Sequence, residues 1–451
     1  MATIKNPWKG GKLTPVQIMV LSYLFFLLLG TVLLSLPVSL QPGVKLPPID
    51  ALFTAASAIS VTGLTVVSTP ETFSNFGLAI LLVWLQFGGI GIMTLGTLMY
   101  LVLGRQISLR NRMLIRADQN QTTMAGMVIL MKFILKLALA LESIAAIILT
   151  AHFYFSYDYN FLRAIKYGVF HAISSFTNAG FDLFGNSLRG LPQDYLIHTV
   201  IGLMIICGAI GFPVLLEVRS WMITGRRRFS LFTKVTSVTF FALVLLGFFA
   251  VFFGESNAAM AGLPWQQKIS VALFQSISTR SGGLSTYDIT EFRTATILFF
   301  CMLMFIGGSP SSCGGGIRTT TFAVILMSLY SFSWKGRDNV QAFGRELYHH
   351  DIQRAFSVFT LAIIIVFFAT VAILELEQNF SATQVLFEVC SAFGTTGLSL
   401  EITSELTDFS KLIIIALMFI GRIGLVALLL LPQRPKRKQK YHYVKEKIII
   451  G

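Results

Sequence analysis

Four times in this chain an apolar segment rich in small residues runs into a glycine that is followed at once by a large apolar residue. The segments are Ser60-Val61-Thr62-Gly63-Leu64, Thr177-Asn178-Ala179-Gly180-Phe181, Arg280-Ser281-Gly282-Gly283-Leu284 and Gly394-Thr395-Thr396-Gly397-Leu398. The glycines lie 117, 103 and 114 residues apart, each step about a quarter of the 451-residue chain. A fourfold motif in a hydrophobic chain predicts four segments converging on one axis. Short backbone stretches arranged in that way strip water from an ion and replace it with carbonyl oxygens.

The setting for such a ring is a bilayer. Apolar residues make up 54% of the sequence and charged residues 12%. With a mean hydropathy of +0.73, this is the composition of a helical membrane protein and not of a soluble enzyme. The first apolar run, Ile18 to Leu36, follows Lys5, Lys9 and Lys12 as a signal sequence would. It is too long for an h-region and no small-residue cleavage site follows, so a retained span is expected.

A net charge of +14 raises nucleic acid as a partner, but its placement argues for a membrane instead. Of the Lys and Arg residues, 23 fall in five places: the leader, 104–126, 219–234, 335–354 and the tail from Arg434. All five face one side if each quarter crosses the membrane twice. The opposite connections carry only a few, such as Lys45, Arg163, Arg189 and Lys268. The positive-inside rule then puts both termini in the cytoplasm of a multi-pass protein of the cell membrane. Cys207, Cys301, Cys313 and Cys390 lack paired spacing and read as small buried hydrophobes. The histidines show no ligand spacing, so each reads as a satisfied structural or loop residue.

Each quarter repeats one order: a long apolar segment, a shorter amphipathic one, the glycine motif, and a second long apolar segment. The long segments run 17–36 and 77–103, 127–153 and 194–218, 231–253 and 293–331, and 355–375 and 410–431. Each is long enough to cross a ~30 Å hydrocarbon core at ~1.5 Å per residue. The short stretch between them carries Phe53, Phe170, Phe274 and Phe387, ten residues before its glycine in three quarters and nine in the third. That length suits a helix of under three turns followed by an extended strand, which is a re-entrant segment. Pro47-Pro48 before Asp50, and Pro264 before Trp265, are helix-entry signals. The negative C-terminal ends of four such helices, pointed inward, favour a cation.

The predicted fold is therefore an all-α integral membrane protein. Four pseudo-symmetric span–pore-loop–span repeats, with eight transmembrane helices and four re-entrant pore helices, surround a central pore. A cytoplasmic leader covers 1–16, the repeats cover 17–104, 105–222, 223–334 and 335–432, and a basic cytoplasmic tail covers 433–451.

A second landmark follows the glycines by 24 to 28 residues: Gly88-Gly89-Ile90-Gly91, Gly208-Ala209-Ile210-Gly211, Gly307-Gly308-Ser309-Pro310 and Gly421-Arg422-Ile423-Gly424. Close helix packing explains the first two as readily as function does. In the third quarter the run continues Ser311-Ser312-Cys313-Gly314-Gly315-Gly316. At ~1 kcal/mol per Gly and ~3 per Pro no stable helix survives there, so a broken span and a gating loop over 307–316 are expected. No Lys-Ser/Thr pair follows the last glycine, which excludes a nucleotide P-loop. In the fourth quarter Arg422 stands where the others have Gly89, Ala209 and Gly308. An arginine in mid-span is costly and marks function. It is read as an electrostatic barrier below the ring, the alternative being a salt bridge to an acid such as Glu217.

These motifs together resemble the Trk/Ktr/HKT superfamily of potassium transporters, over about residues 15–432, and within it most resemble the bacterial KtrB branch of membrane subunits. The resemblance implies potassium bound by carbonyls at or just before the glycines: Val61, Thr62 and Gly63; Asn178, Ala179 and Gly180; Ser281, Gly282 and Gly283; Thr395, Thr396 and Gly397. It implies sodium-stimulated transport or symport, no organic cofactor, a homodimer with one pore per protomer, and regulation by a cytosolic KtrA-like nucleotide-binding ring. The gate maps to Gly307–Gly316 and the barrier to Arg422. Unlike classical potassium channels, no quarter holds Thr-Val-Gly-Tyr-Gly, so the filter is not strictly fourfold. Hydroxyls of Ser60, Thr62, Thr395 and Thr396 are further possible ligands, or pack outward.

The alternative function is a secondary, alternating-access cation transporter. All quarters share one orientation and in-span carboxylates are scarce, which argues against it. No nucleophile–base pair or metal cluster supports an enzyme. The basic tail reads as a lipid anchor, and Ile448-Ile449-Ile450 as packing on a partner subunit.

Overall fold

The computed structural model describes residues 14–95, 109–119, 126–225, 229–335, 339–430 and 446. The leader to residue 13, and the tail apart from residue 446, lie outside the described residues, and with them the expectations for the leader, the lipid anchor and the terminal isoleucines.

Each quarter contributes a long apolar helix, preceded in the second by the short helix Leu109–Asp118: Pro15–Leu34, Met127–Ser156, Leu231–Glu255 and His349–Leu376. All four are long and apolar enough to cross a membrane. Their outer faces leave Phe25, Ile147, Phe253 and Phe367 exposed, the pattern of helices that meet lipid on one side and protein on the other. The first starts cleanly because Thr14 and Gln17 form a reciprocal capping box.

The short helices follow: Pro48–Ser60, Phe161–Phe176, Trp265–Ser278 and Ala382–Gly394. Their entries use Pro47 with Pro48, Asn160 capping Arg163 N at 2.8 Å, Pro264, and a Ser381–Gln384 capping box. The repeated phenylalanines, Phe53, Phe170, Phe274 and Phe387, are all buried.

The third helix of each quarter is where the structure departs from eight continuous spans. Asn75–Ile90 stops at Gly91, Tyr195–Ala209 is bent by 104° into Phe212–Thr224, and Asp408–Ile423 gives way at Gly424 to Leu425–Leu430. The third quarter breaks as expected, between Thr294–Phe305 and Thr319–Lys335. The cause in the other three is one glycine each: Gly91, Gly211 and Gly424 have φ of +104°, +101° and +87°. Helical φ cannot continue through a residue held there, and only glycine adopts it at low cost.

The close-packing reading of the second landmark holds at its first glycine in the first two quarters, and also in the fourth, where Arg422 had argued against it. A Cβ on Gly88, Gly208 or Gly421 would fall 2.5, 2.1 or 2.1 Å from the carbonyl oxygen of Ile59, Phe176 or Phe393, on the last turn of the short helix of the same quarter.

Packing between quarters is cyclic. The third helix of each quarter packs on the short helix of the next quarter and, in the first, second and fourth quarters, on its own short helix, and Asp408–Ile423 closes the circuit on Pro48–Ser60. A partly buried salt bridge, Lys411 Nζ to Asp50 Oδ1 at 2.8 Å, pins that closing contact.

Candidate ion-binding ring and closing loop

The four short helices end together, and each hands over to a strand with left-handed backbone at every second residue. The pairs are Val61 and Gly63 (φ +57° and +91°), Asn178 and Gly180 (+59° and +70°), Ser281 and Gly283 (+92° and +71°), and Thr395 and Gly397 (+48° and +89°). Such alternation turns successive carbonyls, which a regular strand points to opposite sides, toward one face. Four of the eight positions, Val61, Asn178, Ser281 and Thr395, are non-glycine residues held in strained conformations, which need support from their surroundings.

The glycines touch one another in sequence order around a circle. A Cβ on Gly63 would lie 2.5 Å from Ala179 O, on Gly180 2.9 Å from Gly283 Cα, on Gly283 2.7 Å from Thr396 O, and on Gly397 2.1 Å from Thr62 O. Each contact is to the backbone of a neighbouring quarter, so all four positions exclude a side chain. The structure thus brings together all of the residues expected at the ring.

A feature of the sequence that motif reading missed holds the strands in place. Serines stand six residues before the glycine in three quarters and five in the third: Ser57, Ser174, Ser278 and Ser391. Gly63 N donates to Ser57 Oγ at 3.0 Å and Gly397 N to Ser391 Oγ at 3.1 Å. Ser174 Oγ and Ser278 Oγ instead donate to Phe181 O at 2.6 Å and Leu284 O at 2.5 Å, just past the glycine. The ring is therefore pseudo-symmetric in pairs, with the outer two quarters braced one way and the middle two the other.

Buried polar groups on three of the short helices brace the outgoing chain. Glu388 accepts from Ser399 Oγ, Leu400 N and Thr403 Oγ1 at 2.5, 3.0 and 2.9 Å. Gln275 Nε2 donates to Ser285 Oγ at 2.7 Å, and His171 Nε2 accepts from Leu183 N at 3.4 Å. His171 is a satisfied structural histidine. Ser60 Oγ donates to Ala56 O at 2.5 Å and lies 2.6 Å from Thr62 Oγ1, while the Thr395 and Thr396 hydroxyls have no partner among the described residues.

On one side of the ring opens a cavity of about 540 Å³ whose lining includes all four glycines. Asp182, Glu401 and Glu405 give its wall negative charge, and Arg189 bridges Asp288 at 3.1 Å and Glu401 at 2.5 Å. A cation is concentrated at such a mouth.

On the other side the ring strands are backed by packed chain. Residues 307–317 are buried throughout. The loop lies against the ring strands: a Cβ on Gly314 would meet Ser281 Cβ at 3.0 Å, and one on Gly315 would meet Thr395 Oγ1 at 2.5 Å. Backbone bonds stitch it to the break in the second quarter, with Ser309 N to Ala209 O at 3.0 Å, Cys313 N to Gly208 O at 2.9 Å and Phe212 N to Ser311 O at 2.8 Å. Gly307, Gly308, Ser309, Pro310, Ser311, Ser312, Cys313, Gly314, Gly315 and Gly316 therefore form a folded plug, not an open coil.

Arg422 reaches across this plug. Its guanidinium donates to Cys313 O and Gly88 O, and to Gly89 O at 3.1 Å. It makes no bond to Glu217, whose carboxylate accepts from Ser230 N at 3.0 Å. The partners are carbonyls that broken helices leave free, so a buried cation is satisfied without an acid. Beside it Arg318, which motif reading passed over, donates to Gly314 O. Both arginines line a cavity of only about 20 Å³, together with Tyr23, Gln119 and Ser312.

The family model described as TrkH, a cation transport protein, matches residues 14–440. Ktr system potassium uptake protein D of Bacillus subtilis is 49% identical over 441 residues, which cover 97% of this chain and 98% of that protein. Potassium/sodium uptake protein NtpJ of Enterococcus hirae is 33% identical over 448 residues, 98% of each. The crystal structure of the potassium transporter TrkH from Vibrio parahaemolyticus is similar with a TM-score of 0.72 at 18% identity, covering 94% of this chain and 86% of that one, a likeness of fold.

Proposed function

The chain belongs to the TrkH family of cation transport proteins, and from that premise we propose that it is the potassium-conducting membrane subunit of a Ktr-type uptake system. It is a multi-pass membrane transporter and not an enzyme. The reading rests on one observation above all: four glycines with positive φ, packed backbone to backbone, form a closed ring at the floor of an acidic mouth. Four helix C-terminal ends point at that ring, which favours a cation there over an anion. In this reading the carbonyls of Val61–Gly63, Asn178–Gly180, Ser281–Gly283 and Thr395–Gly397 replace the hydration shell of potassium. The acidic mouth faces outward and the basic loops face the cytoplasm.

The plug at 307–316 is the gate. Its bonds to Gly208, Ala209 and Phe212, with the Arg422 clasp, hold the path closed. Net hydrogen bonds of ~1 kcal/mol each make a closed state worth only a few kcal/mol. A cytosolic nucleotide-binding ring, acting on a homodimer, supplies differential binding energy of that size. Sodium, carried or stimulating, is part of the same proposal, and the name of the Enterococcus relative supports it.

The test is potassium uptake by a transport-deficient cell expressing this chain, with and without a co-expressed cytosolic subunit. Growth on low potassium that depends on the chain and increases with the subunit is expected. Absence of potassium flux in a correctly inserted protein overturns the reading. In the same assay Arg422→Ala removes both a positive charge from the path and the clasp on Cys313. Basal flux is expected to rise several-fold, whereas an unfolded product with no flux indicates that the arginine serves stability alone.

A further inference from the structure

We infer that Arg280 sets how weakly the glycine ring holds its cation, through a positive charge that one quarter alone places behind the ring. The inference rests on the ring being the ion-selective site. Arg280 has no accessible surface. One terminal nitrogen donates to Leu303 O, while Nε and Nη1 have no hydrogen-bond partner. Among the described residues no carboxylate lies within ion-pair distance of it. A buried charge without an opposite charge is among the most expensive things a fold can contain, and arginine does not escape by losing its proton.

Its position determines what that charge acts on. Arg280 lies two residues past the end of Trp265–Ser278 and three before Gly283. The negative end of that helix stabilises the guanidinium, and to the same extent is no longer available to an ion on the axis. The matching places in the other quarters hold Ser60, Thr177 and Gly394, all uncharged. Three helix ends therefore attract the cation fully, and the third is offset. Three residues of chain keep the Arg280 Cα within ~10 Å of the Gly283 Cα, and buried charges are screened far less by salt than exposed ones.

Conduction requires binding strong enough to admit an ion and weak enough to release it. An uncompensated positive charge beside the ring weakens binding. Ser281 Oγ, bonded to Thr395 O at 2.7 Å, fixes the adjoining strand to the fourth quarter, so the charge stays in place relative to the ring.

The experiment measures potassium flux against concentration for the full-length chain with its regulator, in wild type, Arg280→Met, Arg280→Gln and Arg280→Lys, with Gly397→Ser as a control. The neutral variants are expected to lower KM about tenfold, the factor that ~1.4 kcal/mol gives, and to lower the maximal rate as release slows. In Arg280→Lys, KM relative to wild type at the same pH starts near one at low pH. It falls as pH rises, because a buried lysine gives up its proton where arginine does not.

A KM unchanged in the neutral variants, or one that in the lysine variant follows them at every pH, overturns the charge assignment. If neither neutral variant folds, the pH profile of the lysine variant decides. A control that also leaves KM and ion preference unchanged places the fault in the ring assignment instead.

Discussion

Gly397→Ser is expected to reduce the preference for potassium over sodium by ten- to a hundred-fold while leaving a folded, inserted protein. A Cβ at this position would fall 2.1 Å from Thr62 O and 3.0 Å from Gly63 Cα, the tightest of the four ring contacts. Thr62 O belongs to the strand of another quarter, so relief requires the fourth strand or the first to move off the axis. A side chain held at the observed φ of +89° adds strain of ~1–3 kcal/mol. Selectivity is a difference between two ion energies, and each ~1.4 kcal/mol of it is tenfold. Gly43→Ser is the control: φ there is +84°, yet nothing lies within 4 Å of the added Cβ. It carries the same backbone strain without the ring contact, and ion preference should not change. Flux ratios measured for both variants separate the two effects.

Deleting Ser311–Gly314 is expected to raise basal potassium flux by at least ten-fold and to make it independent of a cytosolic regulator. The deletion removes the bonds Cys313 N to Gly208 O and Phe212 N to Ser311 O, at 2.9 and 2.8 Å, and the Cys313 carbonyl that Arg422 holds. At ~1 kcal/mol for each neutral bond and more for the charged one, losing them exceeds the ~1.4 kcal/mol that shifts a closed–open ratio tenfold. Transport assays with and without the regulator decide the matter. Flux that remains fully regulator-dependent means that the loop packs beneath the ring without closing it.

The repeat and its glycines were legible in the sequence because backbone geometry demanded one residue type in every quarter. The third-quarter break was legible for the same reason, since its glycines and proline add up to a helix that does not form. The breaks at Gly91, Gly211 and Gly424 were not. One glycine in an apolar run costs a helix only ~1 kcal/mol, and Gly88 and Gly208 in the same landmarks do pack helices closely. Periodicity cannot tell the two uses apart.

Arg422 was recognisable as an anomaly, but its partners were not. The carbonyls of Gly88, Gly89 and Cys313 are acceptors created by the breaks themselves and carry no signature of their own. An acid such as Glu217 was the partner a sequence suggests, and the fold gives that carboxylate to Ser230. The serines at 57, 174, 278 and 391 were within reach of the repeat analysis. Serine is common in small-residue helices, and only the ring geometry gives their spacing a meaning.

In the function proposed above, a potassium ion sits inside the ring of four glycine strands. Anomalous scattering from crystals of the protein grown in rubidium or thallium tests it most directly. Density on the axis, surrounded by the carbonyls of Thr62, Ala179, Gly282 and Thr396, is the expected result. An empty ring with the heavy cation bound elsewhere in the protein would contradict the account.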